Sequence, residues 1–162
     1  MMPAMEVQPT PFAGLLVCKI RRHYDSRGFF CEVYNRKRFA DLGLGVMFVQ
    51  DNLSVSHAVG TLRGLHFQRE PFSQAKLVTV ARGAVRDVVM DLRRSSRTFG
   101  RHYTVELTAV DGQALYVPAG FAHGFLTLAP DTIFTYKISD YYSPQHEAGI
   151  RFDDPILGID WG

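Results

Sequence analysis

The chain has 162 residues, 46% of them hydrophobic and 21% charged, with a formal net charge of +2. This size and balance are typical of a globular protein with an ordinary core, so we expect residues 1–162 to form a single domain. The basic residues are scattered and no apolar run approaches the roughly 20 residues that span a bilayer, which argues against nucleic-acid binding and against a membrane protein.

Short runs rich in β-branched and aromatic residues follow one another along most of the chain. We predict strands at residues 12–20, 28–34, 46–50, 76–81, 84–92, 103–110, 114–118 and 131–139. One helix is predicted in "NRKRFADLGLG", where Phe39 and Leu42 share a face and Gly43 ends the helix. Arg82-Gly83 and Asp111-Gly112 have the composition of hairpin turns. Many short strands with one short helix predict an all-β sandwich or barrel.

The N-terminus and the cysteines indicate where the protein works. The segment "MMPAMEVQPTPF" has no basic region followed by an apolar one, so no secretory leader is expected. Cys18 and Cys31 lie in apolar, strand-like stretches and are too few for a disulfide framework. We therefore expect buried, reduced thiols and a cytoplasmic protein.

Alternation along the predicted strands places polar side chains among apolar ones on the same face. The groups that share a face are Gly64, His66 and Gln68; Lys76, Val78 and Val80; Val85, Asp87 and Val89; and Thr132, Phe134, Tyr136 and Ile138. If these faces line a barrel interior, His66, Lys76, Asp87, His123 and Tyr136 converge inside an apolar cup, as in many small-molecule sites. Taken singly, each is equally well explained as a satisfied polar group of the core.

Glycine and histidine spacings resemble the two halves of the cupin signature, which belongs to a jelly-roll family. The matching patterns are Gly60-x5-His66 and Gly112-x5-Pro118-x-Gly120-x2-His123. Metal-binding cupins use His-x-His and Glu in the first half and His in the second, whereas this chain has His66, Gln68, Lys76 and His123. An amide is a poor ligand and an ammonium repels a cation, so we expect no metal site.

A base beside a fixed positive charge is the chemistry that remains. Removing a proton next to a carbonyl needs a base, a cation where the enolate oxygen develops, and an acid that returns a proton. His66 suits the role of base, and Lys76 suits that of cation. Tyr136 lies on a different strand and offers an O–H from which a proton could return to the opposite face, inverting the carbon.

Several motifs in register are similar to those of the dTDP-4-dehydrorhamnose 3,5-epimerases, which are metal-independent cupins of sugar-nucleotide metabolism. The resemblance runs from about residue 14 to Trp161. The motifs are "DSRGFFCEVYN", "FVQDNLSVS", "LRGLHFQ", "QAKLVTVARGAVRDVVMDLR", "SSRTFG", "LYVPAGFAHGF", "TYKISDYYSP" and "IRFDDPILGIDW".

The resemblance implies a cupin jelly roll that epimerises C3, C5 or both of a nucleotide-linked 4-keto-6-deoxyhexose. It implies no cofactor and a homodimer whose N-terminal strand region is exchanged. The implied catalytic residues are His66 as base, Tyr136 as acid and Lys76 as the enolate-stabilising cation. The implied substrate contacts are Arg27, Glu32, Gln50, Asn52, Arg63, His123 and Glu147.

Some of these contacts have plainer explanations from the residues alone. Arg27 could cap a turn, and Gln50 and Asn52 could close a strand. Simple alternation turns Arg63 away from His66, so it would act from a strand end or across a subunit contact. Exchange of the N-terminal region would carry Arg27 and Glu32 into the partner's pocket.

Family members usually continue past the "GIDW" position with an acidic, lysine-containing segment whose carboxylate orients the catalytic histidine. The present sequence ends at Gly162. The hypothesis is that Asp87 takes over this duty or that His66 is held less firmly. A double epimerase, a monoepimerase and a weakened homologue all stay open.

Two other functions are compatible with the sequence. A sugar-nucleotide 3,4-ketoisomerase, also a cupin, would move the carbonyl group without inverting a carbon. A non-catalytic cupin would bind the nucleotide sugar and turn nothing over. The nucleotide base and the downstream sugar have no signal in the sequence.

Overall fold

The computed structural model describes residues 5–162 of the chain; residues 1–4, where the expectation about a leader begins, lie outside it. Most of the described chain is in short strands. The strands are β1 (Met5–Pro9), β2 (Leu16–Ile20), β3 (Arg22–Asp25), β4 (Gly28–Cys31), β5 (Gln50–Ser56), β6 (Leu62–Gln68), β7 (Lys76–Arg82), β8 (Ala84–Asp91), β9 (His102–Thr108), β10 (Gln113–Val117), β11 (Phe121–Thr127), β12 (Thr132–Ile138) and β13 (Glu147–Gly149). Helix α1 (Arg36–Asp41) and a 3-10 turn (Pro144–His146) complete the set.

Two antiparallel sheets form the body of the molecule. The six-stranded sheet has the order β1-β2-β10-β7-β12-β5, and the five-stranded sheet has the order β13-β6-β11-β8-β9. Strands β3 and β4 form a separate hairpin. The all-β prediction with one short helix is confirmed.

The main core lies between the inward faces of these two sheets. Val78, Leu115 and Phe134 of the six-stranded sheet belong to the same buried cluster as Val89, Leu107 and Phe125 of the five-stranded sheet. The rings of Phe125 and Phe134 stack with centroids 4.1 Å apart. Such alternating apolar faces supply most of the free energy that holds two sheets together, at about 25 cal/mol per Å² of buried apolar surface.

Several strands differ from the sequence-based prediction. Strands β1, β3, β6 and β13 lie outside the predicted ranges, and β5 and β11 show the physical reason. The strand predicted at 46–50 starts only at Gln50 and continues through polar residues to Ser56, and β11 (Phe121–Thr127) was not predicted. Both stretches contain residues of low strand propensity, namely Asp, Asn and Ser in β5 and glycine in β11. Strand β5 is held at an edge by β12, and β11 is held between β6 and β8, so tertiary pairing overrides local preference here.

The two predicted hairpin turns are turns between sheets. Arg82-Gly83 joins β7 to β8 and Asp111-Gly112 joins β9 to β10, and in each case the two strands belong to different sheets. Gly83 has a φ of 80°, and a Cβ there would lie 2.4 Å from Thr132 Oγ1. The composition of a tight turn predicts a positive φ but does not say which strands pair across it.

The helix prediction is confirmed with one difference. Asn35 caps α1 by accepting a hydrogen bond from the backbone N–H of Arg38 at 3.2 Å, and Gly43 ends the segment with a φ of 79°. Phe39 is buried, whereas Leu42 is 38% exposed.

No helix within residues 5–162 is long and apolar enough to cross a membrane. Cys18 and Cys31 are both free. Burial raises the pKa of the Cys18 thiol to about 11, as expected for an inert core residue, whereas Cys31 is only half-buried.

Candidate active site

A cavity of about 730 Å³ is lined by side chains of both sheets. This volume suits a ligand larger than a single sugar. Phe125 and Phe134 of the main core form part of its lining, so the cavity continues from the packed interior. The predicted site residues that line it are Gln50, Asn52, Arg63, His66, Lys76, His123, Tyr136 and Glu147. Asp87, Arg27 and Glu32 do not line it.

The three predicted catalytic side chains come from opposite walls of the cavity. His66 lies on β6 of the five-stranded sheet, and its side chain is 58% exposed. Lys76 begins β7 and Tyr136 lies on β12, both in the six-stranded sheet. A substrate between the sheets would therefore meet the imidazole on one side and the phenol on the other.

Lys76 is a buried cation in the cavity wall. Desolvation lowers the pKa of its ammonium to about 8, and the nearby Asp87 carboxylate opposes this shift. In such surroundings a positive charge interacts strongly with a negative charge that develops close to it. Lys76 is thus suited to stabilise an oxyanion, and only while it is protonated.

Tyr136 is a protonated phenol at neutral pH. Desolvation raises its pKa, and the positive charge of Arg63 works weakly in the other direction. The neighbours of Tyr136 in the sheet are Val78 on β7 and Asn52 on β5. Its O–H is available as a proton donor.

The proposal that Asp87 orients His66 is wrong. The two carboxylate oxygens of Asp87 lie 2.8 and 3.1 Å from Nε2 of His123, and Asp87 is fully buried. Strand β11, which carries His123, lies between β8, which carries Asp87, and β6, which carries His66. Asp87 therefore fixes the ring of His123.

Arg63 lines the cavity together with His66, although simple alternation turns it away. His123 pairs with His66 and Phe125 with Arg63, so two steps along β11 correspond to three along β6. This bulge adds one residue to β6 and brings Arg63 back to the inward face. Its guanidinium reaches across to β5, where it donates hydrogen bonds to Ser56 Oγ at 3.3 Å and to the Val55 carbonyl at 3.4 Å.

Glu147 is the carboxylate near His66. Its Oε1 lies 3.6 Å from Nδ1 of His66, and its Oε2 accepts a hydrogen bond of 2.5 Å from the Tyr142 hydroxyl. Tyr142 also lines the cavity, as do Phe152 and Ser54. These three residues were not predicted as site residues; the aromatic pair Tyr141-Tyr142 after the last long strand was the available signal for Tyr142.

Gln68, at the position of a metal ligand in other cupins, holds a loop. Its Oε1 accepts a hydrogen bond of 2.6 Å from the Ser143 N–H. Its Nε2 donates to the carbonyls of Phe72 at 3.0 Å and Tyr141 at 3.3 Å. Within residues 5–162, His, Cys, Asp and Glu form no group of three that could hold a metal ion.

Arg27 and Glu32 do not reach the cavity of their own chain. Arg27 is in the turn between β3 and β4, its side chain is 88% exposed, and it pairs with Asp25 at 2.6 Å. Glu32 pairs with Arg38 at 3.2 Å beside helix α1. Neither residue can contact a substrate in the cavity of its own chain, because β3 and β4 form a hairpin outside both sheets. Their role as substrate contacts stays a prediction that requires a partner chain.

The chain is similar to known proteins over nearly its whole length. A family model described as dTDP-4-dehydrorhamnose 3,5-epimerase matches residues 9–162. A protein of that name from Sinorhizobium fredii is 47% identical over 161 residues, which cover 97% of this chain and 80% of the relative.

Solved structures give the same result. A dTDP-4-dehydrorhamnose 3,5-epimerase from Bacillus anthracis with TDP and pyrophosphate bound is similar with a TM-score of 0.95 and 47% identity, over 98% of this chain and 90% of that one. A dTDP-6-deoxy-D-glucose-3,5-epimerase from Legionella pneumophila, in complex with dTDP-4-keto-L-rhamnose, has a TM-score of 0.92 and 42% identity, over 97% and 83% of the two chains.

Proposed function

Because the chain belongs to the dTDP-4-dehydrorhamnose 3,5-epimerase family, we propose that it inverts C3, C5 or both of a dTDP-linked 4-keto-6-deoxyhexose. It is an isomerase with a cupin-type jelly roll, as the TM-score of 0.95 to the Bacillus anthracis enzyme shows. The observation that carries the proposal is one cavity lined by His66 from one sheet and by Lys76 and Tyr136 from the other.

The C4 ketone of such a sugar acidifies the hydrogens on both neighbouring carbons. In the proposed reaction His66 removes one of them, and the electron pair of the broken C–H bond moves to the C4 oxygen, giving an enolate. Lys76 stabilises the negative oxygen. Tyr136 then donates its proton to the same carbon from the opposite side, the C4 carbonyl re-forms, and the carbon is inverted.

The enzyme returns to its starting state by proton exchange with water. The imidazolium of His66 releases the abstracted proton, and the tyrosinate of Tyr136 takes one up. The reaction moves protons and one electron pair and involves no net oxidation. Loss of one preorganised oxyanion donor typically costs on the order of 10²–10³ in rate, so Lys76 has a large share of the catalysis under this proposal.

The substrate-binding groups follow the walls of the same cavity. We assign Arg63 to the diphosphate, because a guanidinium pairs with two phosphate oxygens at once. Gln50 and Asn52 share the inward face of β5, where Gln50 Nε2 donates a hydrogen bond of 2.9 Å to Asn52 Oδ1. His123, whose Nε2 is held by the Asp87 carboxylate, lines the opposite wall.

We propose that the active form is a homodimer in which Arg27 and Glu32 of each protomer enter the partner's cavity. The β3–β4 hairpin that precedes Glu32 exposes two aromatic side chains, Tyr24 at 71% and Phe30 at 72%. Exposed aromatic clusters are more typical of interfaces than of free surfaces. The hairpin also carries Arg27, a predicted substrate contact that does not line the cavity of its own chain.

Residues 1–162 are proposed to form a single domain that works in the cytoplasm. The two sheets share a buried cluster, which supports one folding unit. Cys18 and Cys31 are free thiols, and free thiols are typical of a reducing compartment.

Solvent exchange tests the function directly. The protein is incubated with dTDP-4-keto-6-deoxyglucose in D₂O, and the sugar is examined by NMR. Deuterium and inversion at C3 and C5 are the expected result, and label at one carbon identifies a monoepimerase.

Three other outcomes would contradict the proposal. No label at either carbon defeats it. A carbonyl displaced to C3 identifies a ketoisomerase. Tight binding without exchange, unchanged by His66→Asn, identifies a non-catalytic binding protein.

A further inference from the structure

We propose that Glu147, with Tyr142 behind it, is the positioning residue for His66 and leaves Nε2 as the ring nitrogen that accepts the substrate proton. This inference rests on the proposed function, in which His66 is the base. It gives Glu147 a role through the histidine, in place of the substrate contact that the family resemblance implies.

The geometry of β13 places the carboxylate beside the ring. Gly149 pairs with His66 and Glu147 pairs with Gln68, so Glu147 and His66 are diagonal neighbours on adjacent strands. Diagonal neighbours on one face are within reach of long side chains. Oε1 of Glu147 consequently lies 3.6 Å from His66 Nδ1, while Oε2 is occupied by the Tyr142 hydroxyl at 2.5 Å.

Tyr142 is itself held from the strand that carries His66. The side chain of Gln68 bonds the backbone of Tyr141 and of Ser143, the two residues that flank Tyr142. Gln68 is buried, so these bonds are shielded from water. A chain of contacts thus runs from β6 through Gln68 to Tyr142, from there to Glu147, and back to His66 on β6.

The Glu147 carboxylate determines which ring nitrogen of His66 carries the proton. A carboxylate next to Nδ1 favours the tautomer that carries its proton on Nδ1, and the lone pair is then on Nε2. The same negative charge stabilises the imidazolium that forms when Nε2 takes a proton from carbon. The Tyr142 O–H restrains the carboxylate, so that Oε1 stays directed at His66.

The contact is longer than a hydrogen bond and is open to water in the free enzyme. The side chains of His66 and Glu147 are 58% and 43% exposed. Catalytic hydrogen bonds are often long before substrate binds. A nucleotide sugar in the cavity would cover both groups and reduce the screening of their charges by water. The effect of Glu147 on His66 should therefore be seen in kcat, and it should be modest in size.

Kinetics of three variants test the role. Glu147→Gln keeps the shape of the side chain and removes its charge, and we expect kcat to fall on the order of 10-fold with KM within about threefold of wild type. Glu147→Asp keeps the charge and recovers part of kcat. Tyr142→Phe lowers kcat about threefold, and the double variant Glu147→Gln/Tyr142→Phe is no slower than Glu147→Gln alone, because Tyr142 acts through Glu147.

Matched controls come from the same chain. Tyr141→Phe changes the neighbouring tyrosine, which does not line the cavity, and Glu106→Gln removes a surface carboxylate on β9 that pairs with Arg86. Both variants are expected to keep wild-type kcat and KM.

The tautomer of His66 gives a readout that does not depend on turnover. In ¹⁵N-histidine NMR, with the signal assigned by its absence in His66→Asn, the wild-type ring is expected as Nδ1–H. Glu147→Gln shifts the population toward Nε2–H, and Tyr141→Phe does not.

An increase in KM at constant kcat in Glu147→Gln, or an unchanged tautomer, would overturn the inference. If wild-type protein shows no exchange in D₂O, the proposed function fails, and the NMR result still decides whether Glu147 sets the ring.

Discussion

At the scale of single residues, the ammonium of Lys76 combines a proposed catalytic use with an energetic cost. Its pKa of about 8 means that the protein pays to keep a proton there at neutral pH, since the same group in the unfolded chain has a pKa near 10.5. Below pH 8 the shift lowers the free energy of unfolding by about 3 kcal/mol. That cost is understandable if the charge is used in the transition state.

We predict that activity falls as the pH rises through about 8, where Lys76 loses its proton. Lys76→Met should lower kcat by about 10²–10³ and remove this alkaline limb from what activity is left. The measurement is kcat/KM from pH 6 to 10. An alkaline limb that persists in Lys76→Met would assign the titration to another group.

Lys76→Met should at the same time make the protein more stable at neutral pH. The folded-state pKa is depressed, so the unfolded chain binds more protons between pH 8 and 10.5 and the stability of the wild type rises with pH in that window. The gain in free energy of unfolding from the variant is therefore largest below about pH 8 and shrinks above it. Urea unfolding at pH 7 and pH 10 measures both differences, and a gain that does not depend on pH would contradict the account.

Tyr136 should separate proton removal from inversion. In Tyr136→Phe the proposed base His66 still abstracts a proton, but the opposite wall no longer returns one. The His66 imidazolium exchanges with D₂O and then returns a deuteron to the same face. At each carbon that the wild type inverts, we expect deuterium to enter from D₂O without inversion, and the rate of inversion to fall by about 10²–10⁴. Loss of exchange and inversion in equal measure would show that Tyr136 also takes part in the first proton transfer.

At the scale of elements, the bulge between β6 and β11 sets which side chains face the cavity. Gly64 lies in the bulge with a φ of 124°, and a Cβ there would lie 2.5 Å from the Cα of Gly124. The two strands approach so closely that neither position has room for a side chain. The placement of Arg63 and His66 on one face depends on this contact.

Gly64→Ala is expected to destabilise the fold and to reduce activity with it. Gly60→Ala is the matched control, because Gly60 also has a positive φ, of 78°, but has no atom within 4 Å of its missing Cβ. The control should cost about 1 kcal/mol from backbone strain alone, and Gly64→Ala about 2 kcal/mol more from overpacking. Thermal unfolding of the two variants gives the comparison. Equal losses would remove the close contact from the explanation.

The pairing between strands is the part of this site that could not be predicted from the sequence. The alternation of residues predicts that His66, Lys76 and Tyr136 point inward, and the structure places all three on the cavity. The partner of Asp87 depends on the order β6-β11-β8, in which a strand from later in the chain lies between two earlier ones. The inward turn of Arg63 likewise depends on a bulge, which has no periodic signal. Spacing within a strand is local, whereas pairing between strands is decided by tertiary contacts.

At the scale of the whole molecule, one chain leaves part of its apolar surface open. Tyr24 and Phe30 on the hairpin and Leu53 on the edge strand β5 are each more than half exposed. Edge strands with apolar side chains invite further pairing or covering. Under the proposed homodimer, a second copy of the chain would cover this surface and would also bring its Arg27 to the cavity.

A complementation experiment tests whether Arg27 works across the dimer. Arg27→Ala should lower kcat/KM by about 10-fold or more through loss of a phosphate contact, and His66→Asn should abolish turnover. When the two variants are co-expressed with different tags, a mixed dimer has one cavity with an intact His66 and the Arg27 of the other chain. Because half of the dimers are mixed and each has one complete site of two, activity should recover to about a quarter of wild type. If Arg27 acted within its own chain, the mixed dimer would have no complete site and activity would not recover.

The control variant is Arg36→Ala, which changes an exposed arginine of helix α1. Alone it should keep wild-type activity. Mixed with His66→Asn, it should show activity from every cavity of an Arg36→Ala chain, because those cavities keep His66. A monodisperse monomer in light scattering, together with full activity of Arg27→Ala, would rule out the shared site.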